Sequence, residues 1–401
     1  MRQSDAEGRH TVILRPVSSP PSPAGPPPEI THLVRERMEA RTRHDWPRAD
    51  ALKASIEAAG WRVVDHGNRT SVGPAAPLAV EVDGELRYGS ATAVPSRLDA
   101  PAANAWTVVV VASEAPERLS RLLAALRAHA PAGTQVVAVV NDPSDSQVTA
   151  LQPEAPDRAP IGGVVPDVLR TSTRLGYAAA MNIGLRRATG EFVLVTDATA
   201  WPTGDALAPL AAALRDPAVA AAGGFGLVQA EPGRLRPNAL LRWSAAAAAH
   251  VLPATASSSA SSTAAAPVRA TSESTANVAA LEAAWLAFRR DDYRALGPLD
   301  ERFVTTAWLD VWWTLRLRAG AGPEGAEYEP SEDDEATDGP DGPARPEAVE
   351  PGIDLPTARR AVRVELPLER EDVTWPPDRS RLNRRNMYRV LGRYGWRDDL
   401  G

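Results

Sequence analysis

The chain has 401 residues, length for two or three domains, with 44% apolar residues, 37 prolines and no cysteine. Without cysteine, disulfides and cysteine-ligated metals are excluded, which suits a reducing cytosol. The net charge of −7 is concentrated: Glu324 to Glu350 holds eleven carboxylates against Arg345, leaving +3 for the rest, so bulk charge points to neither nucleic acid nor a membrane surface.

The first 28 residues lack the apolar core of a signal peptide and end in SSPPSPAGPPP, which reads as a disordered, proline-rich tail. Residues 30–44 follow as a helix, with Ile30, Leu33, Val34 and Met38 at helical spacing. Asp45 reads as the N-cap of a second helix that runs to about Ala59, buries Ala51, Leu52, Ile56 and Ala59, and stops at Gly60. WRVVD and RTSV read as two strands around the turn HGN. LAVEVDG and ELRYGS are strand-like, and a linker to about residue 100 completes this part.

From Trp106 strands alternate with helices. TVVVVA, TQVVAVV, VVPDVLRT, EFVLVT and VAAAGGF read as strands. Pro116–Ala130, with Leu119, Leu122, Leu123 and Leu126 inward, Ala178–Ala188, and a segment capped by Asp205 read as helices. Repeated β-α units imply a mostly parallel sheet flanked by helices, with ligands at the carboxyl ends of the strands. Residues 244–276 and 320–352 are low in complexity and read as flexible inserts, the second acidic. The expected division is thus a tail over 1–28, a helical-hairpin domain and linker over 29–100, and an α/β domain over 101–401. No run of 18 apolar residues exists, so no membrane span is expected. The expectation is a cytoplasmic protein, with peripheral contact at the inner membrane face left open.

The segment ARTRHDWPRADALKASIEAAGWRVVDHG resembles the C-terminal part of cysteinyl-tRNA synthetases, which implies an ancestral tRNA-contacting module. Residues 29–72 hold eight Lys/Arg against seven Asp/Glu, a balance that gives little electrostatic reason to bind RNA. A helical accessory domain is the reading preferred on that count.

Four fragments carry a second resemblance: VVVVASEAPERLSRLLAAL, VVAVVNDPSDS, RLGYAAAMNIGLRRATGEFVLVTDAT and AFRRDDYRALGPLDERFVTTAWLD. In this order they resemble family 2 glycosyltransferases of the GT-A fold, a Rossmann-type sheet. The resemblance implies an inverting enzyme that moves a sugar from a nucleotide-diphosphate sugar to an acceptor hydroxyl, on a glycan, a lipid-linked sugar or a protein. Such chemistry needs a nucleoside pocket, positive charge for the departing diphosphate, and a base for the acceptor proton.

Carried over position by position, the resemblance implies nucleoside contacts at the ends of the first two strands, Ser113 and Glu114 beside Asn141 and Asp142. Asn141 stands where the family usually has Asp; Asn-Asp-Pro-Ser is also turn chemistry in its own right. Arg174 and Gly176, with Tyr177, open the next strand-helix junction, where arginine can reach a phosphate and glycine lets a ligand approach. Asp197 matches the first aspartate of Asp-x-Asp, a ribose or metal contact, but Thr199 replaces the second, which weakens any Mg²⁺ or Mn²⁺ site. Asp310 is the candidate base; Leu309 replaces its usual Glu neighbour, and Asp310 also reads as an N-cap. Trp308, Trp312 and Trp313 suit either sugar stacking or core packing. Arg384 and Arg385, on an Arg-rich final helix, are candidates to neutralise the diphosphate, or form a solvated basic face. The family's late histidine is missing, with Glu371 and Asp372 nearest its place. The rival readings are a degenerate GT-A binding or scaffold module, and a tRNA-associated protein acting through residues 29–72. A sugar nucleotidyltransferase on a related sheet is a further alternative, against which ASEAPERL lacks the glycine-rich loop that such chemistry needs after the first strand.

Overall fold

A computed structural model describes residues 26–43, 45–66, 69–74, 77–82, 84–112, 115–141, 149, 151–152, 155–229, 235, 240–242, 275–321, 358–371, 381–395, 397 and 400. The tail up to residue 25 and almost all of both inserts lie outside the described residues; Thr275 and Ala276 fall in a strand, and Gly320 ends a helix. The chain divides into two compact units after Ala76.

In the first unit, α1 (Pro28–Thr42) and α2 (Trp46–Ala58) precede an antiparallel hairpin of β1 (Trp61–His66) and β2 (Arg69–Pro74). Asp45 caps α2 as expected, accepting from the Arg48 N–H at 3.2 Å. Gly60, at φ +79°, turns the chain out of the helix. The buried set is Ile30, Ile56 and Val63, with Ala40, Ala49 and Leu52. Ala51 and Ala59, expected inside, are exposed, as is Met38. The inward stripe of α2 is Ala49, Leu52 and Ile56, a 3–4 spacing that turns Ala51 and Ala59 outward.

The second unit is built on a mixed sheet. Its strands are β3 (Ala79–Val82), β4 (Glu85–Tyr88), β5 (Asn104–Ala112), β6 (Gln135–Val140), β7 (Asp167–Thr171), β8 (Gly190–Thr196), β10 (Val219–Gly223), β13 (Thr275–Val278), β15 (Leu286–Arg289) and β16 (Arg360–Val364). Between them lie β9 (Ala200–Pro202), β11 (Gly226–Gln229), β12 (Leu240–Arg242) and β14 (Ala280–Leu281); β17 (Leu368–Arg370) follows. The sheet order is β13-β16-β10-β15-β8-β5-β6-β7-β4-β3. From β8 through β4 every neighbour is parallel, the expected mostly parallel, Rossmann-type centre. β15 runs antiparallel between β8 and β10. The β3–β4 hairpin extends the sheet edge, so residues 79–88 belong to this unit and not to the helical-hairpin domain expected over 29–100.

The helices are α3 (Pro116–His129), α4 (Tyr177–Leu185), α5 (Leu207–Leu214), α6 (Arg290–Leu296), α7 (Leu309–Ala319) and α8 (Arg381–Tyr394). Strand side chains alternate between two cores. Val109, Val111, Val137, Val139, Val193 and Val195 face one, with α4 and α7. Val108, Val110, Val136, Ala138, Val140 and Leu194 face the other, with α3 and α5. Burial on both faces explains the unbroken valine runs. No helix among the described residues is long and apolar enough to cross a membrane.

At the starting ends of the strands, a buried polar knot locks the entry to β8. The Thr107 hydroxyl donates to Gln135 Oε1 at 2.7 Å and accepts from the Gly190 N–H at 2.8 Å, while the Thr189 hydroxyl also donates to Gln135 Oε1. A Cβ on Gly190 would lie 2.4 Å from the Thr107 nitrogen and 2.5 Å from the Trp106 carbonyl carbon, both backbone atoms that cannot step aside. Gly190→Ala is therefore expected to strip register from β8, lowering the melting temperature by at least about 5 °C, the scale of severe overpacking in a domain this size. A calorimetric scan showing less than a 1 °C change would contradict this account.

Candidate functional site

Three non-glycine residues among the described ones have positive φ, and all lie at the carboxyl-end loops: Ala115 at 53° beyond β5, Ala198 at 64° after Asp197, and Trp308 at 67° two residues before Asp310. Such left-handed positions cost energy and concentrate where a site fixes its loops.

Asp197 leaves the end of β8. Its Oδ1 accepts from the Thr199 N–H at 2.9 Å and from the Thr199 hydroxyl at 2.6 Å. Thr196 ties this end to the next segment, its hydroxyl donating to the Ala284 carbonyl at 2.7 Å. Ala283, one residue earlier, donates its N–H to Asp310 Oδ2 at 3.2 Å, and Asp310 Oδ1 accepts from the Val311 N–H at 2.8 Å. The antiparallel pairing of β15 on β8 thus sets the segment that bonds Asp310 against the end of β8, from which Asp197 leaves.

Glu282 sits in this turn and is 4% exposed. Its Oε2 accepts from Arg242 Nη2 at 2.9 Å and Arg370 Nη2 at 2.8 Å, the pairing that a buried carboxylate requires. Burial, then the Glu282 charge, and lastly that of Asp197 push the Asp310 carboxyl up to about 7, against the lowering effect of the Ala283 and Val311 N–H bonds. Tyr177, at the start of α4, feels the same charges: burial first, then Asp197 and Asp310, hold its phenol well above its ordinary value. Asp197, Asp310, Glu282 and Tyr177 therefore form one electrostatic unit.

The other site candidates divide. Asn141 is buried, and its amide faces the chain: Oδ1 accepts from the Leu175 N–H at 2.8 Å and the Thr171 hydroxyl at 3.2 Å, while Nδ2 donates to the Leu175 carbonyl at 3.0 Å. It fixes the β7–α4 turn. Arg174 is exposed in that turn. At Gly176 the close neighbour is Val304, whose Cα and Cγ1 would lie 3.1 Å from an added Cβ. The first N–H groups of α4 are taken as well, Tyr177 donating to the Val304 carbonyl and Ala178 to that of Phe303. Arg384 and Arg385 are half-buried on α8, flanked by Asn383 and Asn386, whose side chains meet Thr305, with Asn386 Nδ2 also donating to the Ala307 carbonyl at 3.0 Å. This sets the first turn of α8 against the loop that leads to Asp310. Ser113, Glu114, Asp142 and Asp372 lie outside the described residues. Glu371 accepts from Arg118 at 2.8 Å and Arg121 at 3.0 Å. Trp308, Trp312 and Trp313 are at most 5% exposed and pack in the core.

Sequence reasoning missed Glu282 and Arg370. The available signal was a lone carboxylate inside the apolar run VAALEAAWLAF, where a charge must find partners.

The residues present do not fit a protein-held Mg²⁺ or Mn²⁺. Thr199 is neutral, and its hydroxyl is spent on Asp197. Among the described residues no three histidine or acidic side chains converge into an all-protein cage, so an ion here would rest on one or two carboxylates together with substrate phosphates. Thr199→Asp would place a second carboxylate beside Asp197. The variant is expected to melt below the parent in chelator and to recover by several degrees in Mn²⁺, with the parent shifting by less than about 1 °C. Equal stabilisation of both by Mn²⁺ would contradict the misfit.

No curated protein is significantly similar to the chain. Among solved structures, a mannosyltransferase from Pyrobaculum calidifontis in complex with GDP-Man and Mn²⁺ is 21% identical, with 57% of this chain and 55% of that one covered and a TM-score of 0.37. GalNAc-T7 with UDP, GalNAc and Mn²⁺ is 12% identical, covering 72% and 47%, with a TM-score of 0.44. S. aureus TarS is 15% identical, covering 53% and 33%, with a TM-score of 0.33. The chain thus spans about half or less of each of these proteins, and at such scores they carry no argument. Residues 107–263, which include Asn141, Arg174, Gly176 and Asp197, match the family model for glycosyl transferase family 2.

Proposed function

We propose that the protein is an inverting glycosyltransferase that uses a nucleotide-diphosphate sugar, with Asp310 as base. The observation that carries this reading is the placement of Asp310: a carboxyl held by two backbone N–H groups, coupled to Asp197, and titrating near neutrality. In the proposed reaction an acceptor hydroxyl gives its proton to Asp310 as its oxygen attacks the anomeric carbon. The bond from that carbon to the diphosphate oxygen breaks, the electron pair leaves with the nucleoside diphosphate, and the configuration inverts. A base is most useful when its pKa lies near the working pH, since it is then both ionised and able to hold a proton. Asp197 holds the ribose through the carboxylate oxygen left over by Thr199. Asn141 acts indirectly, by shaping the turn that borders the nucleoside. The leaving charge is met by Arg384 and Arg385, half-buried on α8 beside the loop that leads to Asp310. The acceptor, whether glycan, lipid-linked sugar or protein, awaits its own assay.

A second reading, a GT-A module kept for binding, is favoured by one observation: the Thr199 hydroxyl occupies the carboxylate oxygen that a metal would share. The two separate on Asp310→Asn. For an enzyme, nucleotide-sugar affinity stays within about twofold while turnover falls at least about a hundredfold, the usual worth of a general base. A parent protein that binds nucleotide sugars without any turnover across an acceptor panel supports the module.

The pH dependence gives two further outcomes. Turnover in the parent rises as Asp310 ionises, so kcat/KM climbs about tenfold per pH unit below about pH 7 and levels off above it. Stability moves the other way. The folded pKa is raised from 3.8, so Asp310 favours folding fully below that value and loses the contribution as pH rises to about 7. Asp310→Asn does not titrate. Its melting temperature relative to the parent should therefore increase from pH 4 to pH 7 and then stay constant, and a flat difference across that range would rule out a buried, titrating Asp310.

A further inference from the structure

The short strand β17 touches both halves of the site. Its Arg370 lies opposite Ala200 in antiparallel register, and the next N–H, that of Glu371, donates to the Thr199 carbonyl at 2.9 Å. Thr199 in turn holds Asp197 through its own N–H and hydroxyl. The Arg370 side chain reaches the other half. Its Nη2 donates to Glu282 Oε2 at 2.8 Å, and its guanidinium carbon sits 4.3 Å from the centroid of the Phe225 ring. Glu282 donates its N–H to the Phe225 carbonyl at 3.0 Å, so arginine and glutamate share one anchor. The following N–H, that of Ala283, meets Asp310 Oδ2 at 3.2 Å. Outside the site β17 is moored as well: Glu369 accepts from Trp201 Nε1 at 3.1 Å, and Glu371 pairs with Arg118 and Arg121 of α3.

We propose, resting on the glycosyltransferase reading above, that Arg370 is a positioning residue: β17 braces the Asp197 loop with its backbone and the Asp310 turn with this side chain, and so sets the spacing between ribose contact and base. The guanidinium is committed to the protein. Its side chain is 15% exposed, and turning it towards a ligand phosphate would leave the buried Glu282 to Arg242 alone. The spacing matters because the base must reach the acceptor hydroxyl while the ribose is held, and a misplacement of about 1 Å costs on the order of a hundredfold in rate. The brace also bears on protonation. The charged or titratable groups acting on Asp310 are Glu282 from the turn after β14, Asp197 from the end of β8 and Tyr177 from α4, and Glu282 is the strongest of the charges.

Arg370→Met, Glu282→Gln and the double variant test this on the full chain. The readouts are kcat and KM with whichever UDP-, GDP- or dTDP-sugar the parent uses, the affinity for its nucleoside diphosphate, and each protein's melting temperature against its own Asp310→Asn counterpart from pH 4 to pH 8. Arg370→Met is expected to bind the diphosphate within about twofold of the parent while kcat falls at least about tenfold. Arg370→Lys, which keeps the charge but not the flat guanidinium, falls between the two. Glu282→Gln removes the strongest charge that raises Asp310, so its melting difference levels off below about pH 7. In the double variant the two losses in kcat do not add, because the arginine acts through the glutamate. Parental kcat in Arg370→Met overturns the inference. So do a tenfold loss of diphosphate affinity or additive losses, either of which makes Arg370 a direct ligand contact. Should Arg370→Met fail to fold, Glu282→Gln decides, since its amide oxygen still accepts from both arginines: a parental kcat with an unmoved plateau overturns the proposal. A parent without turnover overturns the glycosyltransferase reading and this inference together, whereas a working parent matched by Arg370→Met removes this inference alone.

Discussion

The site depends on one buried charge, Glu282, gripped by Arg242 and Arg370. An unpaired carboxylate here would cost several kcal/mol or pick up a proton, and the turn carrying it would shift. With both guanidiniums in place the turn holds. Ala283 then presents its N–H to Asp310, and Thr314 reaches back to the Leu281 N–H at 3.2 Å. The clamp joins three distant parts of the chain: Arg242 at the end of β12, Glu282 after β14, and Arg370 at the end of β17. Its geometry also sets the chemistry, because the Glu282 charge is the largest of the charges that lift Asp310.

A second set of contacts carries the opposite wall. Asn182, fully buried on α4, donates from Nδ2 to the Leu299 carbonyl at 2.9 Å and to Glu301 Oε1 at 3.2 Å. Its Oδ1 accepts from the Tyr293 hydroxyl at 3.1 Å and the Leu299 N–H at 2.9 Å. One amide thus fastens α4 to α6 and to the loop ahead of α7. Gly176 against Val304, and the Phe303 and Val304 carbonyls on the first N–H groups of α4, extend the same seam towards Asp310. The turn after β7 and the turn before α7 are therefore bonded directly to one another. Tyr177, at their junction, is fixed by backbone contacts that owe nothing to its hydroxyl.

The central strands were legible because burial on both faces writes itself as valine runs, and the leucines of α3 kept their helical spacing in the structure. The positions of Asp197 and Asp310 were legible through motif spacing around them. The short strands were not. β9, β14 and β17 are two or three residues long and owe their conformation to pairing with neighbours, so no local pattern announces them. Partner identity was equally hidden. Nothing near Asn141 in sequence says that its amide will be used on Leu175, and nothing near Gly176 names Val304 as its close neighbour. For Asn141 and Gly176 the tertiary fold, which the motif does not encode, decided which neighbours they meet.

Two departures from the glycosyltransferase pattern act in the same direction. Thr199 and Leu309 stand where the resemblance expects carboxylates, and both positions adjoin the coupled group of Asp197, Glu282 and Asp310. With acids at both, a further carboxylate would sit beside Asp197 and another beside Asp310, and mutual repulsion would push the Asp310 carboxyl higher still unless a divalent cation compensated. Their loss lowers the charge that such an ion would balance. Thr199 goes further, turning both its N–H and its hydroxyl onto Oδ1 of Asp197, so that among the described residues only the other carboxylate oxygen is left without a hydrogen bond. In the proposed reading the two substitutions belong together: a site that gives up its metal ligand must also shed negative charge for its base to remain ionisable near neutral pH, and Asp310 at about 7 is the balance that results.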